Sequence, residues 1–159
     1  MEHAFRGPAK ILDRFGSLEP AEIAAADPEQ FASLCSEPPA VHRFPGSMTT
    51  RLQELARIVE DEYDGHAERI WTEAADGKDL LKRMQALPGF GKQKAQIFVA
   101  LLAKRFDVKP RGWKAAAGAF SDKQPRSAAD VDSMAKLREV QAWKKAQKAA
   151  KKSKSEFSM

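Results

Sequence analysis

Apolar residues recur along the chain at helical spacing, and this pattern predicts two helices on either side of residue 90. In residues 79–85 the apolar side chains share one face of a helix. The same holds for residues 92–106, where the apolar positions are Ala95, Phe98, Val99, Leu102 and Phe106. No segment alternates apolar and polar residues in the manner of a strand. The sequence therefore predicts an all-α fold, a compact bundle of short helices.

Helix start signals occur elsewhere in the chain. Asp27 and Pro28 combine a capping residue with a first-turn proline, and Ser47 is placed to cap the helix that follows it. Residues 127–130 have the form of a capping box, which predicts that a terminal helix begins there. We expect one domain over residues 1–140, followed by a lysine-rich and flexible tail over residues 141–159.

The segment between the two predicted helices is the most informative motif of the chain. It reads Leu87-Pro88-Gly89-Phe90-Gly91, and Lys92 follows. The proline ends the first helix, and both glycines are expected to adopt backbone geometry that a side chain would oppose. Such a turn presents backbone amides at the start of the second helix, where the helix dipole favours an anion. Ordinary corners between helices share this pattern, so it indicates a phosphate site only together with other evidence.

The charge of the surrounding segment supplies that evidence. Residues 82–114 contain nine Lys or Arg residues and a single acid, Asp107, a local net charge of +8. A polyanion suits such a segment because each neutralised phosphate releases counterions. Residues 19–79, by contrast, contain 14 acids and 5 bases, a net charge of −9. We expect the basic segment to bind nucleic acid; the alternative is a solvated basic surface.

Four segments of the chain resemble the helix-hairpin-helix (HhH-GPD type) superfamily of base-excision DNA glycosylases. They are residues 5–16, 23–34, 42–59 and the hairpin at 87–91, and the resemblance extends over residues 1–114. It points to a compact group of bacterial glycosylase-like proteins. The resemblance implies hydrolysis of the N-glycosidic bond of a damaged base in double-stranded DNA. It also implies DNA contacts from six consecutive residues: Gly89, Phe90, Gly91, Lys92, Gln93 and Lys94.

The chain departs from that family pattern in three ways. The family's first helix, which carries paired glutamines, has no counterpart here, so we expect either an N-terminal truncation or a late start codon. Bifunctional members place a lysine two residues after the last hairpin glycine; Gln93 stands there, which predicts a monofunctional enzyme without Schiff-base chemistry. The family's catalytic aspartate is matched only by Asp107, a few residues early. An equally good interpretation of Asp107 is a helix-end carboxylate that balances Lys104, Arg105 and Arg111.

Three functional hypotheses follow from these observations. The first is a monofunctional glycosylase, in which Trp71, Trp113 or Phe44 could line the pocket for an extruded base, although each aromatic residue is otherwise a core residue. The second is a non-catalytic DNA-binding or damage-recognition relative. The third is a protein-interaction module that uses the acidic half of the chain. A cleft lined by Asp107 and aromatic residues would favour the enzyme, and a filled centre would favour the non-catalytic relative.

Cysteine and histidine usage restricts the possible cofactors. A single cysteine, Cys35, rules out a disulfide framework and an iron–sulfur cluster held by four thiolates. The three histidines, His3, His42 and His66, lack zinc-like spacing, so we expect neither a metal nor another cofactor. No segment has the length and apolarity of a membrane span, and the N-terminus does not resemble a secretory leader. We therefore expect a monomeric cytoplasmic protein that associates with the nucleoid.

Overall fold

A computed structural model describes residues 5–150, and this part of the chain consists of helices and connecting turns without a strand. The predicted all-α fold is thus confirmed. The described residues form nine α-helices and two short 3₁₀ helices, at Gly118–Ser121 and Ala128–Asp130. The α-helices are α1 (Gly7–Phe15), α2 (Pro20–Ala25), α3 (Pro28–Ser36), α4 (Pro45–Tyr63), α5 (Arg69–Thr72), α6 (Gly77–Ala86), α7 (Lys92–Arg105), α8 (Trp113–Ala117) and α9 (Met134–Ala149).

The described chain divides into two compact units. The first contains the residues up to Glu68 together with Leu87–Gly89, and the second contains Arg69–Ala86 and the residues from Phe90 onward. Helices α1 to α4 therefore belong to the first unit, and helices α5 to α9 belong to the second.

The first unit is built around a small apolar core, and both α2 and α3 pack on the long helix α4. The ring of Phe15 meets the ring of Phe31 edge to face, with the two centroids 5.0 Å apart. The buried side-chain amide of Gln53 donates hydrogen bonds to the carbonyls of Ile23 and Ala26, which satisfies backbone groups at the end of α2. The core residues are Ile11, Ile23, Phe31, Cys35 and Ala56.

In the second unit, α6 and α7 are the two helices that the apolar pattern predicted around residue 90. Leu80 and Met84 of α6 and Val99 of α7 are completely or almost completely buried, as their spacing requires. Gly77 allows α6 to approach α8 closely, because a β-carbon there would lie 2.6 Å from the backbone nitrogen of Trp113.

The helix starts confirm one predicted cap and correct two others. The Asp27 side chain accepts a hydrogen bond from the Gln30 amide at the start of α3, as predicted. The prediction for Ser47 is wrong, because α4 already begins at Pro45 and the Ser47 hydroxyl donates to the Phe44 carbonyl. The capping box at residues 127–130 is present, but it closes the 3₁₀ helix Ala128–Asp130. The terminal helix α9 instead starts with a second cap, in which Ser133 accepts from the Lys136 amide.

Helix α9 also carries part of the segment that the sequence predicted to be a flexible tail. It runs to Ala149, so the expected boundary at residue 140 falls inside the helix, and residues 151–159 lie outside the described part of the chain. Within residues 5–150, every helix is too short or too polar to cross a membrane.

Candidate nucleic-acid interface

The turn between α6 and α7 depends on the backbone of Gly89. Its φ of 76° lies in the left-handed region, which only glycine adopts at low cost. A β-carbon at this position would also lie 3.4 Å from Cδ of Arg51, a close contact. Gly89 therefore has the special geometry that the sequence predicted, and its role in the turn is conformational.

Gly91 differs from Gly89, and here the prediction of special geometry is wrong. Its φ of −75° and ψ of 171° describe extended backbone that any residue can adopt. A β-carbon at Gly91 would have no heavy atom within 4 Å. The fold therefore does not require glycine at this position. What the missing side chain provides is open space in front of the first residues of α7.

The two helices of the hairpin begin in different ways. The side chain of Asp76 accepts a hydrogen bond from the Asp79 amide at 2.9 Å, so acids cap the start of α6. Helix α7 is 14 residues long, and its N-cap residue, Gly91, makes no side-chain capping bond. Its first turn also contains no acid. The positive end of the α7 dipole is consequently not balanced by an acid of its own first turn, and it suits an external anion.

Asp79 also contributes to the fixed start of α6 through its own carboxylate. The carboxylate accepts hydrogen bonds from the Ala75 amide at 3.1 Å and from Nε of Arg83 at 3.0 Å. The bond from the Ala75 amide, followed by the bond from Arg83, holds the pKa of Asp79 below its ordinary range. Asp79 thus stabilises the start of α6 in its ionised form, beside the cap that Asp76 provides.

The side chains at the start of α7 are arranged around this open end. Lys92 and Lys94 are exposed, and Gln93 between them is half-buried. The ring of Phe90 packs edge to face on the ring of Phe98, with centroids 5.8 Å apart, and this contact holds Phe90 against α7. The structure thus brings together Phe90 to Lys94, the predicted DNA-binding residues of the second unit, at one helix end.

Acids from outside the basic segment neutralise several of its cations, so the net charge of +8 overstates the charge available to a ligand. Lys104 pairs with Asp130 at 2.5 Å, and Arg105 pairs with Asp132 at 3.6 Å. On α6, Arg83 pairs with Asp79. Lys92, by contrast, makes no ion pair with any residue between positions 5 and 150. The cation beside the open helix end is therefore available to a phosphate.

Asp107 lies at the other end of α7 and closes it. Its φ of 58° is left-handed, a conformation that aspartate adopts more readily than most residues with a side chain. The amides of Phe106 and Val108 both donate to the Leu102 carbonyl at 3.1 Å, which satisfies a carbonyl at the helix end. This backbone geometry gives Asp107 a structural role as the residue that reverses the chain after α7.

The carboxylate of Asp107 is paired and exposed to solvent. It accepts a hydrogen bond from Nζ of Lys109, and 86% of its side chain is exposed. The hydrogen bond from Lys109 and the charge of that lysine lower the pKa of Asp107. The expected partners were Lys104, Arg105 and Arg111, and this expectation is wrong. Asp107 has a left-handed backbone and reverses the chain, and its carboxylate pairs with Lys109, two positions further along.

The aromatic candidates are distributed over both units. Phe44 belongs to the first unit, where the residue is 58% exposed and the centre of its ring lies 4.8 Å from the guanidinium carbon of Arg43. Trp71 and Trp113 belong to the second unit and are half-buried. A cavity of about 350 Å³ in the second unit is lined by four cations, three acids and small residues. Neither Asp107 nor an aromatic residue lines this cavity, so it lacks the composition expected of a base-binding pocket.

The remaining candidate ligands do not assemble into a metal site in the part of the chain that the structure describes. No group of three or more His, Cys, Asp and Glu side chains within residues 5–150 is placed to hold an ion. Cys35 is buried in the core of the first unit, and burial raises the pKa of its thiol.

The fold and the hairpin define the class of protein: an all-α protein with a helix-hairpin-helix motif whose second helix starts at an open end flanked by lysines. The family model of the HhH-GPD superfamily base excision DNA repair protein matches residues 1–158. The chain belongs to this family, which confirms the resemblance noted in the sequence. Searches of curated proteins and of solved structures found no match.

Proposed function

We propose that this protein binds double-stranded DNA in base-excision repair, and that the start of α7 is its main phosphate-binding site. The observation that carries this proposal is the open space in front of Gly91. The backbone at this position could accommodate any residue, so the fold itself does not require glycine there. A helix start that has a glycine in place of a capping side chain, and that lies beside Lys92, is suited to an anion that comes from outside the chain.

The expected contact is with the DNA backbone rather than with the bases. Amides of the first turn of α7 donate hydrogen bonds to phosphate oxygens, and the ammonium groups of Lys92 and Lys94 add charge. Backbone contacts position the protein without selecting a sequence. Affinity should therefore be nearly independent of sequence and should fall steeply with salt.

The proposed reaction is hydrolysis of the N-glycosidic bond of a damaged base, which leaves the DNA strand intact. The bond between C1′ and the base nitrogen breaks with its electron pair going to the base, which leaves protonated, while water adds to C1′ and loses a proton. Gln93 has no amine that could form a Schiff base at C1′. Lys92 and Lys94 point about 100° to either side of it on the helix, so neither replaces a lyase lysine. We propose that the protein works as a monomer without a cofactor, in the cytoplasm at the nucleoid.

A second candidate function is a non-catalytic relative that recognises damage or binds DNA only. The geometry of Asp107 favours it, because this carboxylate ends a helix, pairs with Lys109 and is exposed. A carboxylate in this state is not held against a developing sugar cation.

One experiment separates these two candidates. The protein is incubated with duplexes that carry uracil, an alkylated purine or oxidised guanine, and abasic sites are then detected by alkaline cleavage. Base release without strand breakage and without a borohydride-trapped adduct supports the monofunctional glycosylase. Tight binding without base release on any substrate supports the non-catalytic relative. A trapped covalent adduct would contradict the assignment of Gln93 and direct attention to Lys92 and Lys94.

A further inference from the structure

We propose that one face of α9 is a second contact surface for the DNA backbone, separate from the hairpin. The surface, called here the α9 stripe, is formed by Arg138, Gln141, Lys145 and Lys148. Because these residues are spaced three, four and three positions apart, they lie along one side of the helix. All four are exposed. This inference rests on the proposed function, since it assumes that the partner is DNA.

The charges of the α9 stripe are not neutralised by neighbouring residues. Arg138, Lys145 and Lys148 make no ion pair with any residue between positions 5 and 150. Helix α9 contains one acid, Glu139, and this acid pairs with Lys136 at 2.6 Å. Two other cations of the second unit are paired, Lys104 with Asp130 and Arg105 with Asp132. Unlike Lys104 and Arg105, the cations of the α9 stripe have their charge available to a partner.

The helix that carries the stripe is anchored, which makes the surface more than a flexible basic segment. Leu137 and Val140 are buried, with 3% and 0% of their surface exposed. The guanidinium of Arg126 lies 5.6 Å from the ring centroid of Trp143, on the buried side of α9. Cations on a fixed helix lose less conformational freedom on binding than cations on a disordered chain.

The dimensions of the stripe suit a DNA backbone. From Arg138 to Lys148 the helix rises about 15 Å. Duplex DNA carries one phosphate charge for about every 1.7 Å of its axis, so several phosphates lie within this length. A row of long, flexible cations with a polar residue between them fits a continuous line of phosphates, and the stripe contains no apolar residue that would insert into a membrane.

The test is the salt dependence of duplex binding by the full chain. The stripe variant carries Arg138→Gln, Lys145→Gln and Lys148→Gln, changes that conserve helix propensity. If all three cations contact phosphates, the slope of log affinity against log salt should decrease by about 2.7, since each contact contributes about 0.9. Circular dichroism and the unfolding temperature should remain those of the wild type.

A matched control removes the same charge from elsewhere. The control variant carries Arg57→Gln, Lys78→Gln and Lys123→Gln, three exposed cations outside the stripe. Its slope should change by less than about one unit, because only long-range charge is altered. A charge-conserving variant, which carries Arg138→Lys, Lys145→Arg and Lys148→Arg, should keep the wild-type slope. Equal effects of the stripe and control variants would overturn the proposal.

Two further outcomes separate this inference from the proposed function. If Gly91→Asp weakens duplex binding and the stripe variant behaves like the control, the inference fails while the proposed function stands. If the wild type does not bind duplex DNA even at low salt, both the inference and the proposed function fail.

Vesicles of phosphatidylserine and phosphatidylcholine test whether the stripe binds an anionic membrane instead of DNA. Vesicle binding that depends on the stripe, together with unchanged DNA binding, would overturn the assignment to DNA.

Discussion

The two ends of helix α7 show how one helix can serve ligand binding and folding at different positions. At the N-terminal end, Gly91 leaves the first turn without a side-chain cap and with open space in front of it. At the C-terminal end, the amides of Phe106 and Val108 satisfy a helix carbonyl, and Asp107 pairs with Lys109. The N-terminal end of α7 is open to a ligand, whereas the protein's own amides satisfy a carbonyl at the C-terminal end.

This difference bears on how a family resemblance is transferred to a particular chain. In this family the hairpin is followed by a helix, which corresponds to α7 here, and the catalytic aspartate is expected after that helix. The open end retains what phosphate binding needs. The closed end uses its only acid, Asp107, for chain reversal, so the resemblance supports DNA binding more directly than it supports catalysis.

The largest expected effect comes from filling the open end. Gly91→Asp places a carboxylate at the N-cap, where it can bond the first amides of α7 and repel a phosphate. Duplex affinity should fall by about 100-fold, because charge-assisted hydrogen bonds and counterion release are both lost. The unfolding temperature should stay the same or rise, since aspartate is a better cap than glycine. Fluorescence anisotropy and thermal unfolding measure the two quantities.

A series at the same position sharpens this prediction. Gly91→Ala adds bulk alone, Gly91→Ser adds a neutral cap, and Gly91→Asp adds a cap with a charge. If the amides bind phosphate, affinity should decrease in this order from Ala to Asp while the protein remains folded. An unchanged affinity across the series would remove the hairpin from the interface.

The second prediction concerns the packing of the hairpin's first helix. Gly77→Ala would place a β-carbon 2.6 Å from the backbone nitrogen of Trp113, and the Gly77 amide donates to the Arg111 carbonyl at 2.8 Å. Backbone cannot move as easily as a side chain, so the free energy of unfolding should decrease by about 1–3 kcal/mol. Chemical denaturation measures this loss. Gly46→Ala is the control, because a β-carbon at Gly46 meets nothing within 4 Å, and it should change stability little.

The third prediction concerns Asp107. Asp107→Asn keeps a side chain that tolerates the left-handed conformation and releases Lys109 from its ion pair. Duplex affinity should rise by about twofold because a negative charge near the basic segment is lost. If the wild type releases a base, its rate should change little. A loss of base release by orders of magnitude at unchanged affinity would show that Asp107 is catalytic and that its structural role was overvalued.

The smallest expected effect is the pH dependence of the capped start of α6. The pKa of Asp79 is lowered in the folded state, so its contribution is present at neutral pH and is lost as the pH falls through the folded-state pKa, below about 4. Asp79→Asn should therefore destabilise the protein at pH 7 and have less effect at pH 3. Urea unfolding at the two pH values tests this. An equal effect at both pH values would mean that the ionised form of Asp79 does not stabilise the start of α6.

Much of the fold could be predicted from the sequence because its signals are local. The apolar positions of α6 and α7 placed both helices within two residues, since burial of one helix face determines which residues are apolar. The Asp27 cap could also be predicted, because the capping side chain and the amide that it bonds are only three residues apart. The capping box at Ser127 was misassigned because one turn of 3₁₀ helix satisfies the same hydrogen bonds as an α-helix start.

The candidate site was harder to predict because its decisive properties depend on three-dimensional neighbours. Two glycines with the same appearance in the sequence, Gly89 and Gly91, have opposite backbone requirements. The partner of Lys104 is Asp130, a distant residue that a local count of charges does not include. The stripe on α9 does leave a signal, because its cations recur at helical spacing, but a lysine-rich composition suggested a flexible tail instead.

The most direct test of the difference between the two ends of α7 is an NMR titration of the ¹⁵N-labelled protein with a short, undamaged DNA duplex. If the open end binds phosphate, the amide resonances of Gly91, Lys92 and Gln93 should shift progressively as duplex is added. They should return to their positions in the free protein when salt is added. The amides of Asp107 and Val108 should remain in place. Shifts at Asp107 and Val108 with none at Gly91 and Lys92 would contradict the assignment of the phosphate site to the hairpin.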